Sequence, residues 1–346
     1  MENFEIYLLF KILFLIIIYL FLIFYWKKSN FLFVKKYNSI QRIHVGEIPR
    51  LGGAISFLSI FFSFFIYIDQ HDNLIPILLL SFIPIFVTSL KDDIFQNSSP
   101  KFRLISMIFA VSIFFNFFSF DFPELNTFFI QDLLSNNNFL AHVFFLFSCL
   151  VMINGNNLID GTNGLMATTN LCQLLALLYL FDSYNDIFIV KSIICFIIPL
   201  AIFLIFNYPF GKVFMGDSGA YLYGFFISLL VIIFFGKYPN TNPLAAVLIL
   251  IYPCYELLFT FIRKIKNNIH PFKPDNDHLH TIIYKKHKNK NNLIRNNFVL
   301  PILFPFWFLP PILSIIFIQN QSGLIFSIFL FIFIYNSFYF LFKSKY

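Results

Sequence analysis

Long apolar runs separated by short polar interruptions dominate the chain. Eleven such runs stand out, at about 4–26, 51–68, 74–90, 104–120, 139–153, 164–181, 187–206, 218–235, 243–261, 297–318 and 322–342. Most approach the roughly 20 residues that an α-helix needs to cross a hydrocarbon core. The pattern predicts an all-α polytopic membrane protein with about eleven transmembrane helices in a single transmembrane domain over 1–346. No soluble domain fits between the runs, since the longest gap is 262–296. No internal repeat is evident, so an inverted-repeat transporter gains no support. The first run follows Glu2 and Glu5 and precedes Lys27-Lys28. A signal peptide has its positive charge in front and a small-residue cleavage site behind, so this run is expected to stay as an anchor.

Basic residues set the orientation. With the N-terminus outside and the C-terminus inside, 21 of the 24 Lys and Arg fall in inner loops or the inner tail, leaving Lys11, Lys191 and Lys237. One missed helix would invert everything after it, so this split supports eleven helices in that orientation. The expected cytoplasmic loops are about 27–50, 91–103, 154–163, 207–217 and 262–296. Acids at the outer ends read as solvated loop residues.

Composition agrees and adds exclusions. Apolar residues make up 59% of the chain and charged residues 12%. A soluble domain carries about 25% charged residues, and disorder needs low hydrophobicity. The net charge of +7 would suggest nucleic acid in a soluble protein. Here basic inner loops account for it, and no nucleic-acid partner is expected. Cys149, Cys172, Cys195 and Cys254 lie in apolar runs without metal-ligand spacing, which predicts inert thiols. The 55 Phe read as lipid-facing and packing surface rather than chemistry.

Four polar clusters remain, all on the expected inner side. The first is Lys91-Asp92-Asp93, followed by Ser99-Pro100-Lys101-Phe102-Arg103. Adjacent carboxylates repel unless a cation intervenes, which suits a general base or a hard metal; a charged helix end paired to lysines is the plainer reading. The second runs from Asn154 through Asn157, Asp160 and Asn163 to Gly164. Its glycines permit a close backbone approach and its Asn and Asp offer oxygen ligands for Mg²⁺; a capped turn is the plainer alternative. The third, Phe214-Met215-Gly216-Asp217-Ser218-Gly219, opens a helix. It is either plain N-capping or a phosphate site with a carboxylate that holds a bridging metal. The fourth holds Arg263, Lys264, Lys266, His270, Asp275, Asp277, His278 and His280. His-x-His lacks further zinc ligands at fitting spacing, while His among cations suits an anionic substrate. Together the clusters fit metal-assisted phosphoryl transfer between a water-soluble and a lipid-borne substrate.

From Pro49-Arg50-Leu51-Gly52-Gly53 to His278-Leu279-His280 the chain resembles the polyprenyl-phosphate N-acetylhexosamine-1-phosphate transferases, the superfamily that includes the muramoyl-pentapeptide translocase. The resemblance implies a multi-pass enzyme of the inner membrane with its site facing the cytoplasm. It would move sugar-1-phosphate from a UDP-sugar to polyprenyl phosphate, releasing UMP and starting a cell-envelope glycan such as O antigen or teichoic acid. It implies Mg²⁺, with Mn²⁺ as a substitute, and leaves a homodimer open. It makes Asp92, Asp93 and Asp160 catalytic, and assigns Asn157 and Asp217 to the metal. Lys101, Asn154, Asn163, His278 and His280 fall to substrate. Two positions depart from the family pattern: Asn163 stands where many members have a second Asp, and Gln96 where an acid is expected. The late loop lacks the His-His-His run of the muramoyl-pentapeptide branch. Rival readings are a transporter of an anionic solute, for which Glu256 and His142 would be the intramembrane groups, and a phosphatidyltransferase, whose Asp-Gly-x-x-Ala-Arg element is missing.

Overall fold

A computed structural model describes residues 2–28, 48–67, 74–95, 98–125, 128–270, 273, 275–287 and 290–344. Among these the chain is helical, without strands. The long helices are α1 (Glu2–Lys28), α2 (Gly52–Tyr67), α3 (Leu74–Phe95) and α4 (Pro100–Phe117), and, after a short α5 (Phe128–Ser135), α6 (Asn138–Ile159), α7 (Leu165–Ser183), α8 (Ile187–Asn207), α9 (Gly216–Lys237) and α10 (Leu244–Lys266). Short helices follow: α11 (Leu279–Lys286), α12 (Asn292–Asn297), α13 (Val299–Ile302), α14 (Phe304–Trp307) and α15 (Leu309–Ile316), before the long α16 (Gln321–Lys343). Every apolar run of the sequence carries a helix. Among the described residues, eight helices are long and apolar enough to cross a membrane, or nine counting one bent pair.

α9 is the hub. Of its apolar window 94% is buried, against 17% for α1, and it packs on α2, α3, α6 and α7. A helix apolar all round belongs inside a bundle. Helices at the edge turn rings outward instead, such as Phe10, Phe14 and Phe21 on α1 and Phe326, Phe329 and Phe333 on α16. Lys11 is no loop cation: it is buried within α1, where it donates to Ser63 of α2 and to the Cys195 carbonyl of α8. The four cysteines are free.

Helix boundaries depart from the apolar runs at three places. The run 297–318 is not one continuous helix. It breaks into Asn292–Ile302 and Phe304–Ile316 at an angle of 50°, because Pro301, Pro305, Pro310 and Pro311 interrupt helical hydrogen bonding. Helix also extends into the segments read from the sequence as loops. α3 continues through Asp92 and Asp93, α4 starts at Pro100, and α6 continues to Ile159. Asn154, Asn156 and Asn157 therefore lie on helix, where tertiary contact overrides their turn preference: Asn156 donates to the Ala220 carbonyl of α9 (2.7 Å), and Gly155 lies so close to the Pro253 carbonyl of α10 that a Cβ would collide with it. The 262–296 loop contains α11 and α12. Most of the 27–50 loop, and Gln96, lie outside the described residues.

Candidate active site

One end of α9 gathers the charged groups. The segment before α2 runs beside the segment before α9: Phe214 donates to the Pro49 carbonyl (2.9 Å), Gly52 to Phe214 (3.0 Å) and Gly53 to Met215 (2.8 Å). This pairing carries Arg50 over Asp217, at 3.5 Å, with Asp93 at 4.0 Å. From α4, Arg103 reaches Asp217 at 2.7 Å and Asp92 at 3.1 Å, and donates to the Tyr221 hydroxyl at 3.5 Å. Asp160 closes the group at the C-terminus of α6. Arg50 feels Asp217, Asp93, Asp160 and Asp92, and together they raise its pKa although burial works the other way. Burial pushes the Asp160 carboxyl well above the ordinary range; Arg50 opposes this, while Asp217 and Asp93 add to it. Four carboxylates thus share two guanidiniums, an arrangement that favours further positive charge.

The adjacent pair splits by role. Asp93 is buried, and its two oxygens accept the backbone N–H groups of Asp217 (2.7 Å) and Ser218 (2.9 Å). It is therefore an N-cap supplied to α9 from α3, satisfying donors that the helix start leaves open. Met215, at the cap position of α9 itself, gives no side-chain bond. Gly216 has φ +79, and a Cβ there would stand 2.5 Å from the Asp93 carboxylate. The N-terminus of α9 therefore does not offer these two N–H groups to phosphate, because the carboxylate of Asp93 holds them. Asp92 is half-buried, accepts from the Ser98 backbone (2.9 Å) and faces Arg103.

The remaining residues divide. Asn157 is half-buried and no described residue hydrogen-bonds its side-chain amide. Asn154 donates to the Leu150 carbonyl (2.8 Å) and the Met107 sulfur (3.5 Å). Asn163 is buried: its backbone N–H donates to Asn296 (2.6 Å) and its amide to Asn297 (3.2 Å). It fastens the 160–164 turn to α12, as Asn207 does by accepting from Gly164 (2.6 Å). Lys101 is exposed. It stands two residues before Arg103, and positions i and i+2 of a helix face different ways, so Arg103 rather than Lys101 enters the carboxylate group. Arg50 and Arg103 are the members that sequence reasoning left unassigned. The signal available was a lone arginine at the mouth of an apolar helix, which resembles ordinary positive-inside charge.

A second group packs beside the first. His278 is buried with both ring nitrogens engaged: Nδ1 by Glu256 (3.4 Å) and Thr260 (3.3 Å), and Nε2 by Asp275 (3.3 Å). Burial works to raise the Asp275 carboxyl, but His278, Arg263 and Lys264 outweigh it and hold the pKa below the usual value. His280 stacks parallel to His278 at 5.6 Å and lies over Gly161, where a Cβ would strike its ring. Burial and the neighbouring His278 lower the His280 pKa to about 4, against the pull of Glu256. The unfolded chain takes that proton near pH 6.5. Stability is therefore complete above about pH 6.5 and falls on acidification by ~1.4 kcal/mol per unit until the folded ring titrates. Thermal unfolding of the solubilised protein at pH 7 and pH 5 is expected to differ by about 2 kcal/mol from this source, and His280→Gln is expected to flatten that part of the profile.

Among the described residues no three His, Cys, Asp or Glu are placed to hold a metal by themselves. The donors present still suit Mg²⁺: Asp217 and Asn157 offer hard oxygens, the local field is anionic, and Mg²⁺ usually takes one or two carboxylates and fills its shell with phosphate and water.

Known proteins are similar to the chain in sequence. Residues 75–235 match the profile of Glycosyl transferase family 4. The chain is 29% identical over 247 residues to the undecaprenyl-phosphate alpha-N-acetylglucosaminyl 1-phosphate transferase of Thermotoga maritima, covering 71% of each chain. Proteins of the same name are 30% identical over 149 residues in Escherichia coli K12, covering 40% of each chain, and 28% identical over 256 residues in Salmonella typhimurium, covering 71% of this chain and 68% of that one. The profile match holds Asp92, Asp93, Arg103, Asn157, Asp160 and Asp217, and stops short of Glu256, His278 and His280. On these similarities, and on the site they span, the chain is similar to Glycosyl transferase family 4 over residues 75–235.

Proposed function

We propose that the protein transfers an N-acetylhexosamine-1-phosphate, with GlcNAc-1-phosphate the first choice from the names of its relatives, from a UDP-sugar to undecaprenyl or another polyprenyl phosphate. The observation that carries this reading is the group of four carboxylates and two guanidiniums at the mouth of α3, α6 and α9. Such a mouth suits a pyrophosphate from the water side and a phosphate headgroup from the lipid side. Eleven spans, an inner-membrane location and a cytoplasmic site belong to the same proposal, supported by the charge asymmetry of the loops.

In the reaction an oxygen of the lipid phosphate bonds to the β-phosphorus of the UDP-sugar. The bond from that phosphorus to the bridging oxygen breaks, and UMP leaves; direct attack and a carboxylate-bound intermediate both satisfy this balance. Asp92 has the exposure to orient the lipid phosphate or take its proton. Arg50 and Arg103 are the donors for phosphate oxygens, since guanidinium matches phosphate in paired hydrogen bonds. Asp217 and Asn157 would hold Mg²⁺, which when bound neutralises charge on the pyrophosphate. Asp160, held toward its neutral form, is suited to donate a hydrogen bond there. Lys101 stands at the rim as a further cation.

Purified protein with Mg²⁺, undecaprenyl phosphate and UDP-GlcNAc is expected to release UMP in proportion to lipid-linked product. EDTA is expected to stop release, and added Mg²⁺ or Mn²⁺ to restore it. Absence of UMP with every UDP-N-acetylhexosamine tested overturns the proposal.

A further inference from the structure

Glu256 lies in α10, is completely buried, and falls outside the carboxylate group at α9. A carboxylate buried in a membrane helix is costly unless fully partnered. Among the described residues, the hydrogen-bond and ion-pair partners of the Glu256 carboxylate lie in the histidine segment and the last helix. Oε1 accepts the Leu279 backbone N–H (3.3 Å) and faces His278 Nδ1 (3.4 Å). Oε2 accepts the hydroxyl of Tyr335, itself fully buried on α16. One turn along α10, Thr260 meets the same His278 nitrogen (3.3 Å). With Asp275 on its other nitrogen, both ring nitrogens of His278 face protein groups. The imidazole that reaches the 160–164 turn is that of His280.

We infer that Glu256 and Tyr335 are positioning residues for the histidine segment, the part of the site that the family resemblance puts near the sugar nucleotide: they fix His278 as a strut, which holds His280 over the Asp160-Gly161 turn. This rests on the transferase reading for its substrate, although the geometry itself does not depend on it. The same contacts remove Glu256 from the role of a transport carboxylate, because both oxygens are engaged by protein. They also make α16, distant in sequence from the carboxylate group, part of the donor site.

Two measurements on the full-length solubilised protein test the inference. The first is hydrogen–deuterium exchange of residues 278–284, which needs no activity. Glu256→Gln keeps one acceptor but loses the other, and is expected to speed exchange of this segment about tenfold or more; Tyr335→Phe, which removes one hydroxyl, is expected to speed it less. The second is steady-state kinetics with UDP-GlcNAc and undecaprenyl phosphate. Both variants are expected to raise KM for UDP-GlcNAc, Glu256→Gln by about tenfold, with KM for the lipid unchanged. A general loss of structure would lower the active fraction and leave both KM values alone, and that result overturns the inference. Unchanged exchange in both variants also overturns it. Should Glu256→Gln fail to accumulate, Tyr335→Phe decides by the same two readouts. If exchange rises as expected but the wild type releases no UMP, the positioning role stands and the transferase reading falls.

Discussion

Asp217→Asn is expected to lower kcat by about 10²–10³-fold, on the scale seen when a transition-state electrostatic partner is removed. The substitution changes almost no volume. It removes the charge that both Arg50 and Arg103 face, and the hard donor proposed for the metal. The fold is expected to survive, because Arg103 keeps Asp92 at 3.1 Å and Arg50 keeps Asp93 at 4.0 Å. The check is UMP release in single turnover at saturating Mg²⁺, alongside membrane insertion and thermal unfolding of the same preparation. Near-normal turnover would take Asp217 out of the site.

Asp93→Ala is expected to act on stability and turnover together. It leaves two buried backbone N–H groups of α9 without an acceptor and takes a buried anion from Arg50, for which a loss of about 3–5 kcal/mol is the ordinary scale. Asp217 begins that same turn, so its carboxylate loses its fixed position when the cap goes. Asp93→Asn keeps one carbonyl oxygen and is expected to fall between wild type and Ala in both respects. Thermal inactivation and kcat measured across the three proteins separate the roles. A base with no structural duty would lose turnover in Asp93→Asn at unchanged stability, and that pattern would return Asp93 to catalysis.

The apolar pattern of the sequence was enough to locate every long helix, because burial in lipid leaves so little freedom to the backbone. It missed the break at Leu303 because prolines spaced through an apolar run leave its hydropathy untouched. The acids of the site were legible as types, since each is a carboxylate where carboxylates are expensive. Their division of labour was not. Asp92 and Asp93 are adjacent and identical in sequence terms, and only the approach of α9 makes one a cap. The contact of Asn163 with α12 had no sign in the sequence either, since it joins residues more than 130 positions apart. Arg50 was invisible as a site residue because its place depends on pairing between segments more than 160 residues apart.

The central position of α9 bears on how the protein is made. This helix ends with almost none of its surface in contact with lipid, yet during synthesis it must rest in the bilayer before its neighbours enclose it. Its all-round apolar sequence is what lets it wait there. A polar substitution at its middle, for instance at Ile227 or Leu230, both buried, therefore acts first on biogenesis: the nascent segment is rejected by the insertion machinery or exposed to quality-control proteolysis. Low yield, rather than a slow purified enzyme, is the phenotype to look for at the midpoint of α9.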